Sequence, residues 1–129
     1  MATFNSFEEI IAWQKARELC KLIHTDTLNE QFSKDFKLVN QIKSSSGSSM
    51  DNIAEGFERG GSKEFIQFLY ISKGSAGEVR SQLYRALGNK YISEEEFKKA
   101  FDLALEVGKL DAGLINHLKS SEIKGDKYK

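Results

Sequence analysis

Apolar residues recur at helical spacing along nearly the whole chain, in long runs separated by short polar or glycine-containing breaks. The first run is Phe7, Ile10, Ile11, Trp13, Ala16, Leu19, Cys20, Ile23 and Leu28. Ser6 and Glu9 precede it in capping-box spacing, which predicts a helix start near Ser6. The segment from Asn29 to Lys34 is polar and reads as a turn. The second run, Val39, Ile42, Ser46, Ser49, Ile53 and Phe57, predicts a helix from about Asp35 to Phe57. Its middle, Ser44-Ser45-Ser46-Gly47-Ser48-Ser49, is a poor helix former. Apolar spacing nevertheless resumes in phase at Met50 and Ile53. One helix with a small-residue waist is therefore expected, open to close approach by a neighbour; the alternative is a Ser/Gly linker that splits it.

Arg59-Gly60-Gly61-Ser62 is the next break, with glycine for a helix end and Ser62 to cap the third helix. That helix should run to about Gly88 on Phe65, Leu69, Ser72, Ala76, Val79, Leu83 and Ala86, with Gly74-Ser75-Ala76-Gly77 inside it. Ser93 and Glu96 form a second capping box. A fourth helix comes after it on Phe97, Phe101, Ala104, Val107, Leu110, Leu114, Ile115 and Leu118. Strand alternation and internal repeats are absent. These elements predict an all-α, antiparallel, up-down-up-down four-helix bundle over residues 1–120, with a frayed polar tail over 121–129.

Composition narrows this picture in a few respects. The chain of 129 residues suits one domain, and it contains no proline to interrupt long helices. Nineteen basic residues balance nineteen acidic ones, which argues against a strongly basic nucleic-acid binder but leaves room for a local patch. The single cysteine, Cys20, has no disulfide partner in the chain and falls at an apolar helical position, so a buried thiol and a reduced, cytoplasmic setting are expected. No leader-like or membrane-spanning apolar run is evident, so no membrane partner is expected.

Metal and cofactor chemistry finds no footing. His24 and His117 are the two histidines, and neither follows a glutamate at the spacing of a di-iron bundle. A cysteine cluster and a phosphate-binding loop are both missing. No cofactor, metal or catalytic residue is expected; an enzyme would need a pocket lined by Glu55 and Glu78 with shifted pKa values.

Two stripes remain. Asn52, Glu55 and Arg59 share one side of the second helix, and Glu78 lies at the equivalent offset on the third, beside Ser75 and Gln82. These residues read either as a polar network that sets helix register or as a solvated stripe with a Glu–Arg pair. The second stripe is Ile66, Tyr70, Lys73, Gly77, Arg80 and Tyr84. Tyrosines interleaved with cations suit nucleic acid, where rings stack on bases and cations meet phosphates. They equally suit a subunit interface, or tyrosines that complete the core beside exposed cations. For polyanion contact the candidates are Lys73, Arg80 and Tyr84, with Lys43, Lys63 and Arg85 as helpers.

From Phe7 to Leu118 the chain resembles the small bundle proteins encoded within intervening sequences of bacterial 23S rRNA genes. The residues that carry the resemblance are Trp13-Gln14-Lys15-Ala16-Arg17-Glu18-Leu19, Gln41-Ile42, Ser48, and Asn52-Ile53-Ala54-Glu55-Gly56-Phe57-Glu58-Arg59. Ser62-Lys63-Glu64-Phe65, Gln67-Phe68-Leu69 and Gly74-Ser75-Ala76-Gly77-Glu78 come next, in the family's order. Ser44 and Met50 stand where the family often has arginine and proline, which removes a cation and a kink from the second helix. The resemblance implies a non-enzymatic four-helix bundle that assembles as a homopentamer. It also implies contact with RNA or the ribosome. A similar bundle, the accessory protein of diversity-generating retroelements, binds a reverse transcriptase and nucleic acid. The alternative is a protein-interaction scaffold with no nucleic-acid role.

Overall fold

The computed structural model describes residues 4–127, with side chains through Ser121, and every regular element among them is helical. A 3-10 turn, Phe7–Glu9, precedes α1 (Ile11–Asp26), α2 (Glu30–Lys34), α3 (Phe36–Glu58), α4 (Ser62–Gly88) and α5 (Glu94–Lys127). Around the bundle, α1 packs on α3 and α5, α3 packs on α4, and α4 packs on α5. Hydrogen bonds pair Gln41 with Arg85, Ser48 with Ser75 and Ser49 with Ser72, so α3 and α4 run antiparallel. Ser72 with Asp111, and Arg80 with Phe101, show the same for α4 and α5. One core cluster joins the start of α1 to Ile53, Phe65, Leu69 and Ile115. The other joins its end to Leu38, Ile42, Leu83 and Ala100. Among the described residues no helix is long and apolar enough to cross a membrane. The tail expected to fray, residues 121–129, continues α5 as far as Lys127, and residues 128 and 129 lie outside the described residues.

The chain departs from its sequence reading at the first two boundaries and at the start of α4, where Gly61 holds the N-cap position and Ser62, expected to cap, is already the first helical residue and makes no side-chain cap. Ser6 makes no side-chain cap, and α1 starts at Ile11 instead. Ile10 takes an extended backbone and is 1% exposed, so burial of this side chain breaks the helix at its start. The expected turn after Leu28 contains α2, because Phe32 is 0% exposed and must be folded inward. Phe32 stacks on Tyr91 at 5.4 Å. Tyr91 donates its hydroxyl to Asp35 at 2.9 Å, and Asp35 also caps α3 by accepting from the Leu38 N–H. These two hydrogen bonds hold the Asp35 carboxyl below the usual carboxylate range.

The serine-rich waist is unbroken helix, as its phase implies. Ser45 and Ser46 donate to the Gln41 and Lys43 carbonyls of their own helix, so these hydroxyls do not compete for a different backbone path. Cys20 is half-buried rather than fully so, with its thiol donating to the Ser46 carbonyl and its pKa raised chiefly by burial. Gly60, at φ 86°, turns the chain out of α3 in a conformation that favours glycine. At the start of α5 the expected capping box is complete: Glu96 accepts from the Ser93 N–H, and Ser93 from the Glu96 N–H.

At Gly56, α3 and α4 are in close contact. A Cβ there would lie 2.6 Å from Phe68 Cβ and 3.1 Å from Phe65 Cδ1. Gly56→Ala should therefore lower the unfolding free energy by about 1–3 kcal/mol, read from urea denaturation by helical circular dichroism. Gly47→Ala, whose Cβ would meet nothing within 4 Å, should be neutral or stabilising by up to about 1 kcal/mol. Equal midpoints for the two variants would contradict the close contact.

Candidate functional site

Helix α4 has two long neighbours, and small polar residues line its contacts with both. Ser72, Ser49 and Asp111 are each 0% exposed and come from α4, α3 and α5. Ser72 donates to Asp111 Oδ2 at 2.6 Å. That uses its one hydroxyl proton, so in the 3.0 Å contact between Ser49 and Ser72 the donor is Ser49. Asp111 Oδ1 has no hydrogen-bond partner. Burial pushes the Asp111 carboxyl up to about 7, against the lowering effects of the Ser72 hydrogen bond and the Lys73 charge. At the α2 end, burial first and the Glu96 charge second raise Asp26 to about 6, with Lys99 opposing.

On the outside, α4 and α5 enclose a groove of about 430 Å³. Gly74 and Gly77 of α4 and Gly108 and Ala112 of α5 leave it open, and Lys73, Arg80, Lys109 and Tyr70 stand around it. No acidic side chain lines it. A Cβ at Gly74 or Gly108 would meet no atom within 4 Å, and one at Gly77 only the Arg80 guanidinium at 3.7 Å. Packing inside the subunit therefore does not explain these glycines, each of which costs about 1 kcal/mol in a helix interior. Lys73, Arg80 and Lys109 take part in none of the ion pairs among the described residues. The Arg80 guanidinium lies 5.6 Å from the Phe101 ring centroid. Tyr84 packs on Phe97 and Phe101 yet is 59% exposed. At the other end Lys119 donates to the Tyr70 hydroxyl at 2.7 Å.

A second groove lies between α3 and α4, and polar residues line all of it: Asn40, Gln41, Ser44, Ser45, Ser48, Glu78 and Gln82. The expected network is divided here. Asn52 donates to the Ser48 carbonyl and hydroxyl, and Ser75 donates to the same hydroxyl, which joins α3 to α4. Glu55 and Arg59 form a separate, exposed pair at 2.7 Å, and Glu78 sits on the groove wall apart from them. Glu78 lines this groove and Glu55 does not.

Of the six residues expected to contact a polyanion, Lys73, Arg80 and Tyr84 lie along the α4–α5 face. Lys63 is exposed two turns before Tyr70 on α4, and Lys43 is exposed on α3. Arg85 turns towards α3 and donates to Gln41 at 3.0 Å. Lys109, Lys119 and Asp111 escaped the sequence reading. Asp111 left a usable signal, because it falls between Val107 and Ile115 at seam spacing. The two lysines left none, since only the packing of α5 on α4 brings them to the groove. Among the described residues no group of side chains is arranged to hold a metal ion.

Residues 8–113 match the family model described as 23S rRNA-intervening sequence protein. Among solved structures the chain is similar to a protein of unknown function from the S23 ribosomal protein family of Bacteroides thetaiotaomicron. That likeness has a TM-score of 0.74 and 27% identity, and covers 81% of this chain and 97% of the other. Among curated proteins none matches.

The buried carboxyl makes stability depend on pH. In the unfolded chain an aspartate titrates near pH 4, at about 3.9, whereas Asp111 in the fold titrates at about 7. The folded state therefore holds the proton more tightly. The Asp111 contribution to stability is greatest below about pH 4, falls as pH rises to about 7, and is flat beyond, a loss of up to about 4 kcal/mol; Asp35 and Glu96, whose carboxyls are held low, act in the opposite sense, and their stabilisation is lost in acid. Asp26 adds to the fall between about pH 4 and its own folded value of about 6. Urea midpoints should thus drop from pH 5 to pH 8. Asp111→Asn should flatten this dependence and be more stable than the parent at pH 8. An unchanged slope in the variant would rule out Asp111 as its source.

Proposed function

The chain belongs to the 23S rRNA-intervening sequence protein family, and on that premise we propose that it is a non-enzymatic, homo-oligomeric bundle that binds nucleic acid or a nucleoprotein partner through its α4–α5 face. One observation carries this reading: three cations that take part in none of the ion pairs among the described residues surround an open groove that no acidic residue lines. Phosphate binding draws its affinity from such clusters, because each neutralised phosphate releases counterions. The overall balance of nineteen basic and nineteen acidic residues counts against it, so the affinity must come from this local patch. Elsewhere some charges are matched locally, as in Lys15–Glu18, Glu30–Lys34 and Glu55–Arg59.

Assembly would multiply a patch of this modest size. A homo-oligomer, a pentamer by the family resemblance, repeats the groove once per subunit and raises avidity for a long polyanion without any new contact. The resemblance points to RNA, the ribosome or a reverse-transcriptase complex as the partner, in the cytoplasm. A second reading has its own support. Tyr70, Ile71 and Tyr84 on α4 are 48%, 49% and 59% exposed, as suits a subunit contact on a protein-interaction scaffold with no nucleic-acid role.

Filter binding to structured RNA across a salt series should show affinity falling steeply with salt. Lys73→Glu, Arg80→Glu and Lys109→Glu should each weaken binding and lower the salt slope by about 1. Binding that is absent at low ionic strength, or indifferent to salt, would overturn the nucleic-acid reading. In light scattering, Tyr84→Ala and Arg80→Glu should leave the particle mass unchanged; a fall in mass would assign the stripe to the subunit contact.

A further inference from the structure

We propose that the α4–α5 groove holds a single strand of nucleic acid, with its phosphodiester backbone over the glycine floor and its bases against Tyr70 and Tyr84, and that it does not accept a duplex. This rests on the polyanion-binding reading and narrows it. The shape of the groove decides the class. Adjacent packed helices lie about 8–10 Å apart, so the crease on their outer side admits one backbone. A duplex is stiff over about 150 base pairs and convex, so it would ride on the rim and leave the floor empty. The floor is cleared for close approach by Gly74, Gly77 and Gly108, which no neighbour inside the subunit requires.

The walls fit the same ligand. Lys73 and Arg80 stand two helical turns apart on α4, about 10 Å, and Lys109 lines the groove from α5. Tyr70 and Tyr84 are about 21 Å apart along the helix, a span of several nucleotides. Both rings are held in advance, Tyr84 by Phe97 and Phe101 and Tyr70 by the Lys119 hydrogen bond. A cationic groove that follows the backbone, flanked by aromatic platforms, is how single strands are bound without regard to sequence. Apart from the Tyr70 phenol, the lining has no neutral hydrogen-bonding side chain to read a base edge or a 2′-hydroxyl. The site is therefore indifferent to sequence and to sugar. The α3–α4 groove contrasts with it, since Glu78 lines that groove and no cation does.

Fluorescence anisotropy with oligo-U, oligo-dT and a hairpin duplex of equal length tests this on the intact protein and on a Gly74→Leu/Gly108→Leu variant. Leucine begins at both positions in open space and favours helix, so the variant should melt at or above the parent temperature. Oligo-U and oligo-dT should bind within about threefold of each other and at least about tenfold tighter than the duplex. The variant should lose at least about tenfold of the single-strand affinity at unchanged scattering mass. If the variant misfolds, Lys109→Gln probes the same groove from its α5 wall and should also weaken single-strand binding.

Each contrary result has a distinct meaning. Duplex binding as tight as single-strand binding overturns this inference and leaves polyanion binding standing. Undiminished single-strand binding by the filled groove moves the strand elsewhere. A fall in the variant's mass makes the groove a subunit contact, and equal displacement by polyglutamate makes its ligand an acidic protein. No binding of any nucleic acid overturns this inference and the reading beneath it together.

Discussion

Where α3, α4 and α5 meet, Ser49 donates to Ser72 and Ser72 to Asp111, and solvent reaches none of the three. A carboxyl group in that position tolerates little displacement. If α4 slid by one turn against α5, Asp111 would lose its hydrogen bond from Ser72 and stand unpaired in the core, at a cost of several kcal/mol. The apolar seams alone are more permissive, because leucine and valine layers repack at similar energies after a shift of register. The buried chain thus selects one alignment of α4 against α5. On the outer face that same alignment brings Lys109 to the groove that Lys73 and Arg80 line.

Small residues in this bundle serve two separate ends. Inside, Ser45, Ser46, Ser49, Ser72 and Ser75 are buried at helix contacts, and at position 56 a side chain larger than glycine's would not fit. Outside, Gly74 and Gly108 face open space and Gly77 faces only the end of the Arg80 side chain. The two sets alternate along α4, since a helical period of 3.6 residues turns Ser72, Ser75 and Ala76 inward and Lys73, Gly74 and Gly77 outward. A string such as Gly74-Ser75-Ala76-Gly77 is therefore two half-sites, one structural and one facing solvent.

Charge obeys the same division. Among the described residues a few charges are matched in local ion pairs, and the cations around the α4–α5 groove belong to none of them. At its centre the fold also keeps a carboxyl whose titration falls near neutrality, close beneath that cationic face and within the influence of Lys73. Core and surface are thereby coupled through a single lysine, which lowers the Asp111 pKa from outside while it lines the groove.

Sequence by itself determined the number and phase of the long helices, the continuity of the serine-rich waist and the capping box at Ser93 and Glu96. These derive from period and local backbone chemistry, which act within a few residues. It also placed Lys73, Arg80 and Tyr84 on one stripe, because that stripe belongs to a single helix. It misjudged Ser6, where the burial of Ile10 overrides a good capping pair, and the segment holding Phe32, where one buried ring folds a polar turn into α2. Only the tertiary structure decided which side of the stripe meets Lys109, that Arg85 turns to Gln41 instead, and which glycines are filled by neighbours and which stand open. The physical reason is one of range: helical period fixes direction within an element, while the partner across a groove depends on the register between elements, set here by a buried carboxyl and two serines far apart in the chain.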